Sequence, residues 1–384
     1  MPDPTPHDLA RFTKDAGADL GFDLVGITGP DSPRHTDTYE IWLRAGRHGE
    51  MHYLASERAR QVRANPRRLL PGCRAIVVVG LNYGQPAVPD PGEPGEAGVA
   101  TYAGGDDYHD VMAGRLHDLI GHLETYLDRP VNHRVYVDTG PLMERELAQR
   151  AGLGWIGKNT CLIHPARGSC FLLGEVLVDV DIEADEPFEA DRCGSCTRCL
   201  QACPTECILP DRTLDASRCI SYLTIELKEE IPADLRPPMG RWVFGCDICQ
   251  RVCPWNERFA APAADVSLAP RPFLAPPTID GFLKLDRAGY VEQLRRSPLK
   301  RAKLAGLQRN ACVAAGNAGD RRFVEQLIVA LDDVSSLVRA HAAWALGRLG
   351  GSRATDALKA RGHVERDSGV QDEIRAALSS VDAP

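Results

Sequence analysis

Apolar residues return at helical spacing over residues 5–18, and Gly21 then offers a break before Phe22-Asp-Leu-Val-Gly-Ile27, which reads as a short strand. Arg74-Ala-Ile-Val-Val-Val-Gly-Leu81 follows Pro71-Gly72 as a continuous β-branched run, the pattern of a strand covered on both faces. The stretch 86–98 is too rich in Pro, Gly and Glu for a packed element and reads as a surface loop. Leu116, Leu119, Ile120, Leu123 and Leu127 draw an apolar stripe along a helix over 110–127, expected to face a sheet. Arg134-Val-Tyr-Val-Asp138 is strand-like and passes through Thr139-Gly140-Pro141 into a helix over 142–151 that Gly152 can end. Asp138 therefore stands at a strand-to-helix junction. A further apolar run over 171–182 completes an α/β pattern.

After a stretch over 260–277 rich in Ala and Pro, the pattern changes to repetition. Asn310-Ala-Cys-Val-Ala-Ala-Gly316 aligns with His341-Ala-Ala-Trp-Ala-Leu-Gly347 at an offset of 31, and 370–378 resembles 338–346 at an offset of 32. Small and aliphatic residues at helical spacing in a repeat of this length predict stacked helix pairs of HEAT type. Three segments result: an α/β domain over 1–190, a cysteine-rich domain over 191–260 and a helical repeat domain over 278–384.

The length of 384 residues suits two or three cores, and 43% hydrophobic with 26% charged residues describes an ordered globular chain. The first 21 residues lack the apolar stretch of a signal peptide and carry no twin-Arg signal, and no later segment has the apolar length of a membrane span. A cytoplasmic location is the expectation. A net charge of −8 argues against a generally basic nucleic-acid binder but leaves room for a local basic face.

Cysteine changes the picture most, because nine of the thirteen crowd into residues 193–253. Cys193-Gly-Ser-Cys196-Thr-Arg-Cys199-Leu-Gln-Ala-Cys203-Pro204 spells C-x2-C-x2-C-x3-C-P, the bacterial ferredoxin run, whose fourth thiolate serves a second cluster. Cys246-Asp-Ile-Cys249-Gln-Arg-Val-Cys253-Pro254 keeps the last three positions of that run and lacks the first. With the fourth ligands exchanged, one 4Fe-4S cluster takes Cys193, Cys196, Cys199 and Cys253. The other takes Cys203, Cys246, Cys249 and a cysteine from outside the runs, for which Cys219 is the best candidate. Paired zinc sites also use C-x2-C, but zinc rarely needs three cysteines so tightly spaced. Cys73, Cys161, Cys170 and Cys312 sit in apolar runs and read as core residues, while Cys207 stays unassigned.

Two cubanes imply one-electron transfer to an acceptor that their spacing does not name. Neither a dinucleotide fingerprint nor a P-loop is present. Asp107-Tyr-His109 begins like a corrinoid-binding D-x-H-x-x-G motif, yet the next glycine falls at 114.

The ordered set Tyr102-Ala-Gly-Gly-Asp-Asp-Tyr-His109, Val137-Asp-Thr-Gly-Pro141, Gly154-Trp-Ile-Gly-Lys-Asn159, the two cysteine runs and Arg218-Cys-Ile-Ser-Tyr-Leu-Thr-Ile-Glu226 closely resembles the epoxyqueuosine reductase family over nearly the whole chain. The resemblance implies an oxidoreductase with two 4Fe-4S clusters and cobalamin that reduces epoxyqueuosine to queuosine at the wobble position of tRNA. It implies Asp138 as proton donor in the loss of the epoxide oxygen as water. It also places Arg63, Tyr102, His109, Trp155, Lys158, Asn159 and Ser221 near cobalamin or substrate, and agrees with Cys219 as the eighth thiolate. Without it, Asp138 reads as an ordinary helix N-terminal carboxylate, Trp155 and Tyr102 as core aromatics and His109 as a satisfied polar residue. Ala103-Gly-Gly-Asp106 departs from many relatives in lacking a basic residue.

Arg295, Arg296, Lys300, Arg301, Lys303 and Arg309 form a basic cluster ahead of the repeats, either a solvated face or, given the resemblance, a contact for tRNA phosphates. The expected partners are tRNA and an electron donor, with the chain acting as a monomer. The competing readings are a cobalamin-dependent reductive dehalogenase, typically exported by a twin-Arg signal, and a non-catalytic ferredoxin-type docking protein.

Overall fold

The computed structural model describes residues 4–84, 93 and 95–381. Most of the loop expected over 86–98 lies outside the described residues. The chain divides into two compact units, and both are discontinuous in sequence. The first combines the segment up to residue 86 with 105–216 and 248–269, and the second combines 87–104, 217–247 and the segment from 270 onward.

A four-stranded sheet organises the first unit. Strand β1 (Leu24–Thr28), β2 (Ala75–Asn82), β3 (His133–Tyr136) and β4 (Phe171–Val178) stand in the order β1-β2-β4-β3, and every pairing is antiparallel. Helices lie on both faces, so the domain is α/β in composition without parallel strands. Helix α1 (Pro6–Asp19) starts at a Thr5–Asp8 capping box and stops before Gly21, whose φ of +86° suits only glycine comfortably. Helix α2 (Tyr108–Leu127) buries Met112 and Leu116 against Gly174 of β4, where a Cβ would crowd them at 3.1–3.2 Å. Helix α3 (Glu144–Arg150) covers the other face through Leu147 and Ala148, which pack with Ile76, Val78 and Leu177. This two-sided cover explains why all eight residues of β2 are buried, as their unbroken apolar pattern predicts.

The second unit is built around helical repeats. Helix α4 (Lys303–Ala318), α5 (Ser336–Leu349) and α6 (Ser368–Val381) pack in succession, with Val324–Ala330 and Ser352–Val364 as the intervening helices. Gly316 and Gly347 show why the repeat keeps its spacing. A Cβ on Gly316 would lie 2.8 Å from the Trp344 ring, and one on Gly347 would lie 2.7 Å from the Ala377 Cβ, so each glycine permits the approach of the next repeat.

Sequence alone predicts one continuous cysteine-rich domain over 191–260, and the structure divides that segment. Residues 217–247 join the second unit because Trp242–Phe244 pairs with Gly98–Val99 and Val243 and Phe244 enter the core shared with Leu307, Ala311 and Ala315. Arg309 is likewise removed from the expected basic surface. It is fully buried and donates to the carbonyls of Leu223, Leu227 and Glu229. Among the described residues no helix is long and apolar enough to cross a membrane.

Candidate active site and cluster-binding loops

In the first unit, Arg198–Ala202 and Ile248–Arg251 are short helices, one in each cysteine run, and they pack together. The folding of one run against the other brings Cys193, Cys196, Cys199 and Cys253 to the wall of a common cavity of about 300 Å³. Arg192, Arg198, Arg258 and Lys158 also line it. Four thiols around this volume suit an inorganic cluster larger than one zinc ion, and the cationic rim suits the negative charge of the cluster they would hold. Of the second expected set, Cys203 and Cys249 belong to the first unit, and Cys219 and Cys246 to the second. Cys203 lies with its sulfur 3.4 Å from that of Cys207, and the hydrogen bond from Cys207 is the first cause drawing the Cys203 thiol down to about 5. Cys73, Cys170 and Cys312 are buried, whereas Cys161 is only partly so.

Three residues expected near cobalamin or substrate make their contacts with these loops. The Trp155 indole N–H points at the Cys193 sulfur at 3.5 Å, with its ring packed on Trp255 and Phe188. The Lys158 ammonium donates to the carbonyls of Gly194 at 2.7 Å and Cys196 at 2.9 Å, and the Asn159 amide reaches the Cys249 carbonyl at 3.5 Å. Hydrogen bonds and a positive charge at this position steady the cysteine loop and would raise the potential of a cluster held there.

Asp138 occupies a different corner of the same unit. Strand β3 ends at Tyr136, and the Thr139 amide turns back to the Val137 carbonyl at 2.5 Å, leaving Asp138 at the centre of a tight turn with φ +56°. A non-glycine residue there holds strain of roughly 1–3 kcal/mol. Gly140 makes the turn possible, since a Cβ would lie 2.6 Å from the Tyr136 ring. The bland role for Asp138 fails on geometry: the residue that precedes α3 in the capping position is Met143, and no side chain caps that helix.

Asp138 instead faces the start of α2. Its Oδ2 accepts from the Tyr108 hydroxyl at 3.2 Å and lies 3.6 Å from His109 Nε2, while His109 Nδ1 contacts Asp107 at 2.6 Å. Desolvation works against a charged His109, but the bonds to Asp107 and Asp138 outweigh it and push the imidazole up to about 9. The same His109 bond is the first cause holding Asp138 below the ordinary carboxylate range, with desolvation opposing it. The resting pair is imidazolium and carboxylate, with 62% of the Asp138 side chain open to solvent. Beside it, His109, Ala113, Val135 and Val137 line a cleft of about 340 Å³ with His117, His133 and Arg134.

Two further acids escape any motif. Glu144, at the first position of α3, is pushed up to about 8 by desolvation and then by the Asp138 charge. Glu175, in the centre of β4, is fully buried with neither carboxyl oxygen partnered, and burial raises it well above the ordinary value. A signal for Glu175 was available: it is the lone charge in Phe171-Leu-Leu-Gly-Glu-Val-Leu-Val178. Of the other expected site residues, Arg63 lies over the Tyr39 ring at 5.4 Å. Tyr102 packs near Phe244 and Ser221 lies in the helix Ile220–Ile225, both in the second unit. Arg295, Arg296, Lys300, Arg301 and Lys303 are all exposed, although Arg301 pairs with Glu226 at 2.8 Å.

Three family models match segments of the chain. Residues 63–139 match the family model described as epoxyqueuosine reductase QueG, residues 192–256 the 4Fe-4S double cluster binding domain, and residues 299–379 HEAT repeats. An epoxyqueuosine reductase of Xanthomonas campestris is 39% identical over 90% of this chain and 98% of its own. The chain belongs to the epoxyqueuosine reductase family. A crystal structure of an epoxyqueuosine reductase with an epoxyqueuosine-modified tRNA-Tyr stem loop superposes with a TM-score of 0.91 at 29% identity, covering 99% of this chain and all of that one. The Bacillus subtilis family member, solved with its catalytic aspartate loop swung out of the active site, gives 0.90 at 28% identity over 98% of this chain and all of its own.

Proposed function

We propose that this chain reduces epoxyqueuosine to queuosine at the wobble position of tRNA, with electrons passing through two 4Fe-4S clusters to cobalamin. The observation that carries the reading is the His109–Asp138 pair, set on a strained turn within a chain similar to epoxyqueuosine reductases over nine-tenths of its length. Cys193, Cys196, Cys199 and Cys253 hold one cluster, and Cys203, Cys219, Cys246 and Cys249 the other. Arg63, Tyr102, His109, Asp138, Trp155, Lys158, Asn159 and Ser221 are the candidates for contact with cobalamin or substrate. Their charged and amide groups suit the amide-bearing rim of a corrin. When bound, cobalamin supplies the reducing electrons at the epoxide ring.

The chain's own residues manage the proton. Conversion of the epoxide to the alkene takes up two electrons and two protons and releases water. At rest one proton sits on His109, 3.6 Å from Asp138, from which it passes through that carboxyl to the epoxide oxygen, and the second proton comes from solvent, to which the Asp138 side chain is open. The exposed basic residues Arg295, Arg296, Lys300, Arg301 and Lys303 contact tRNA phosphates, which position the substrate without reading its sequence. The chain works as a cytoplasmic monomer supplied by a separate electron donor.

The test is anaerobic reconstitution with iron, sulfide and cobalamin, followed by mass analysis of nucleosides from epoxyqueuosine-bearing tRNA. Queuosine is the expected product. Unchanged epoxyqueuosine, with both clusters intact and a competent reductant, rejects the reading.

A further inference from the structure

Cys207 is a cysteine that neither cluster claims, and the fold sets it against one that a cluster does. The helix Arg198–Ala202 ends at Cys203, and the chain then reverses, with the Glu206 amide donating to the Cys203 carbonyl at 3.1 Å and Glu206 itself at φ +53°. A small hairpin fixes the other side. Ile208 bridges Leu214, the Leu209 amide reaches the Thr213 carbonyl at 2.9 Å, and the Asp215 amide reaches the Cys207 carbonyl at 2.9 Å. Between the helix end and the hairpin the two sulfurs meet at 3.4 Å. Both residues belong to the first unit, and Cys207 is only 2% exposed, whereas Cys203 is partly open. An outer thiol is thus backed by an inner one. A disulfide holds its sulfurs about 2.05 Å apart, so this pair has roughly 1.4 Å to close.

We propose that Cys203 and Cys207 are a reversible oxidation site: when the second cluster is lost, a hydroperoxide oxidises Cys203 and Cys207 captures it as a disulfide. The proposal rests on the assignment of Cys203 to the second 4Fe-4S cluster. In the first step the Cys203 thiolate attacks hydrogen peroxide, the O–O bond breaks, and a sulfenic acid and hydroxide result. In the second, the Cys207 sulfur displaces the sulfenic oxygen, so the S–S bond forms, the S–O bond breaks and the oxygen leaves as water with the Cys207 proton. The two thiols lose two electrons and the peroxide gains them. A sulfenic acid without a thiol in reach goes on to sulfinic and sulfonic acids, which thiol reductants do not reverse. Capture by Cys207 stops that course and keeps Cys203 recoverable as a ligand. Because Cys203 cannot bind iron while joined to Cys207, the second cluster rebuilds only after reduction, which couples its assembly to the thiol–disulfide balance of the surroundings.

Core filling is the competing role for Cys207, and it predicts no difference in the fate of Cys203. The test uses the full chain, stripped of iron by a chelator under argon and then treated with a small excess of hydrogen peroxide. Tryptic peptide 199–212 carries Cys199, Cys203 and Cys207, so its fragmentation reads which sulfurs are joined. Wild type is expected to show a Cys203–Cys207 bond that dithiothreitol opens. In Cys207→Ser, irreversible oxidation of Cys203 is expected to rise about tenfold or more. Cys207→Ala supplies the same contrast should serine disturb folding at this buried position. After peroxide and then dithiothreitol, reconstituted wild type should also bind more iron than the variants, by up to about four per chain. Irreversible oxidation of Cys203 in wild type at the level of the variants overturns the proposal, and so does a bond from Cys203 to Cys199 in place of Cys207. Wild type that binds only about four iron without any peroxide treatment would instead defeat the two-cluster reading, and the linkage in peptide 199–212 is read independently of it.

Discussion

Two fully buried charged-type side chains, Arg309 in the second unit and Glu175 in the first, are treated in opposite ways. In the second unit Arg309 donates to three main-chain carbonyls and to Asn310, and the Asn310 amide donates to the carbonyls of Thr224 and Val243. One repeat later, at the position 31 residues on, His341 accepts from the Ile231 amide at 3.2 Å. Burial and the charges of Arg236 and Arg309 keep that imidazole neutral, as an acceptor must be. In the first unit Glu175 is equally buried, yet neither of its oxygens is partnered, and burial followed by the nearby acids pushes it up. Satisfied buried groups specify how a segment docks; unsatisfied ones store a perturbed titration where chemistry uses it. The same repeat position thus anchors the 217–247 segment twice, while the sheet beside Asp138 keeps its acids under tension.

The comparison breaks most visibly at Arg309. Arg309→Leu leaves several carbonyls buried without donors and is expected to cost roughly 3 kcal/mol or more, read as a lowered denaturation midpoint. Glu175→Leu is its mirror: stability unchanged or higher, because an orphaned carboxyl is replaced by packing. Loss of stability in Glu175→Leu comparable with that of Arg309→Leu would erase the contrast.

At Asp138 the change should appear in rate and not in folding. Asp138→Asn is expected to lower turnover by about 10²-fold with an unchanged melting temperature, the scale of a lost general acid. Near-normal turnover would return Asp138 to a structural role.

Metal content sharpens the comparison across the two cysteine sets. Wild type should bind about eight iron and eight labile sulfide per chain, and Cys219→Ala about half, since each cubane carries four of each. Cys73→Ala and Cys312→Ala should leave the iron content unchanged, because both cysteines are core residues.

A smaller effect is expected in the pH dependence of stability. The His109 imidazole is raised to about 9 and the Glu144 carboxyl to about 8, so both groups bind protons more tightly in the folded chain. Each contribution is complete below its unfolded value, about 6.5 for His and 4.3 for Glu, and is lost as pH rises through the folded value. The melting temperature should therefore decline between about pH 5 and 9, and Glu144→Gln should flatten the part that ends near 8. An unflattened decline would place the titrating group elsewhere.

The smallest change is expected at the basic surface. Charge reversal of Arg295, Arg296 and Arg301 should raise KM for tRNA and reduce the salt dependence of binding by about one unit per lost phosphate contact. Arg301 should contribute least, because Glu226 already neutralises it. Unaltered affinity and salt slope would leave the cluster a solvated face.

Local patterns carried much of this molecule. The buried strand Ala75–Asn82, the helix over Tyr108–Leu127, the turn before Glu144, the cysteine runs and the repeat of small residues were all legible, because each depends on residues close in sequence. Spacing also paired Cys253 with Cys193, Cys196 and Cys199 before any fold was known, since cluster geometry constrains ligand order. What local pattern could not decide was where polar groups go once the chain closes. Arg309 looked like its basic neighbours and became a buried anchor, and Lys158 turned to the carbonyls of Gly194 and Cys196. Glu144 and Glu175 were separated by 31 positions and matched no motif, yet both are pushed up by burial and by the Asp138 charge. The physical reason is the same in each case: propensity and periodicity act over a few residues, whereas burial, partnering and the pKa of a charge depend on what distant segments bring beside it.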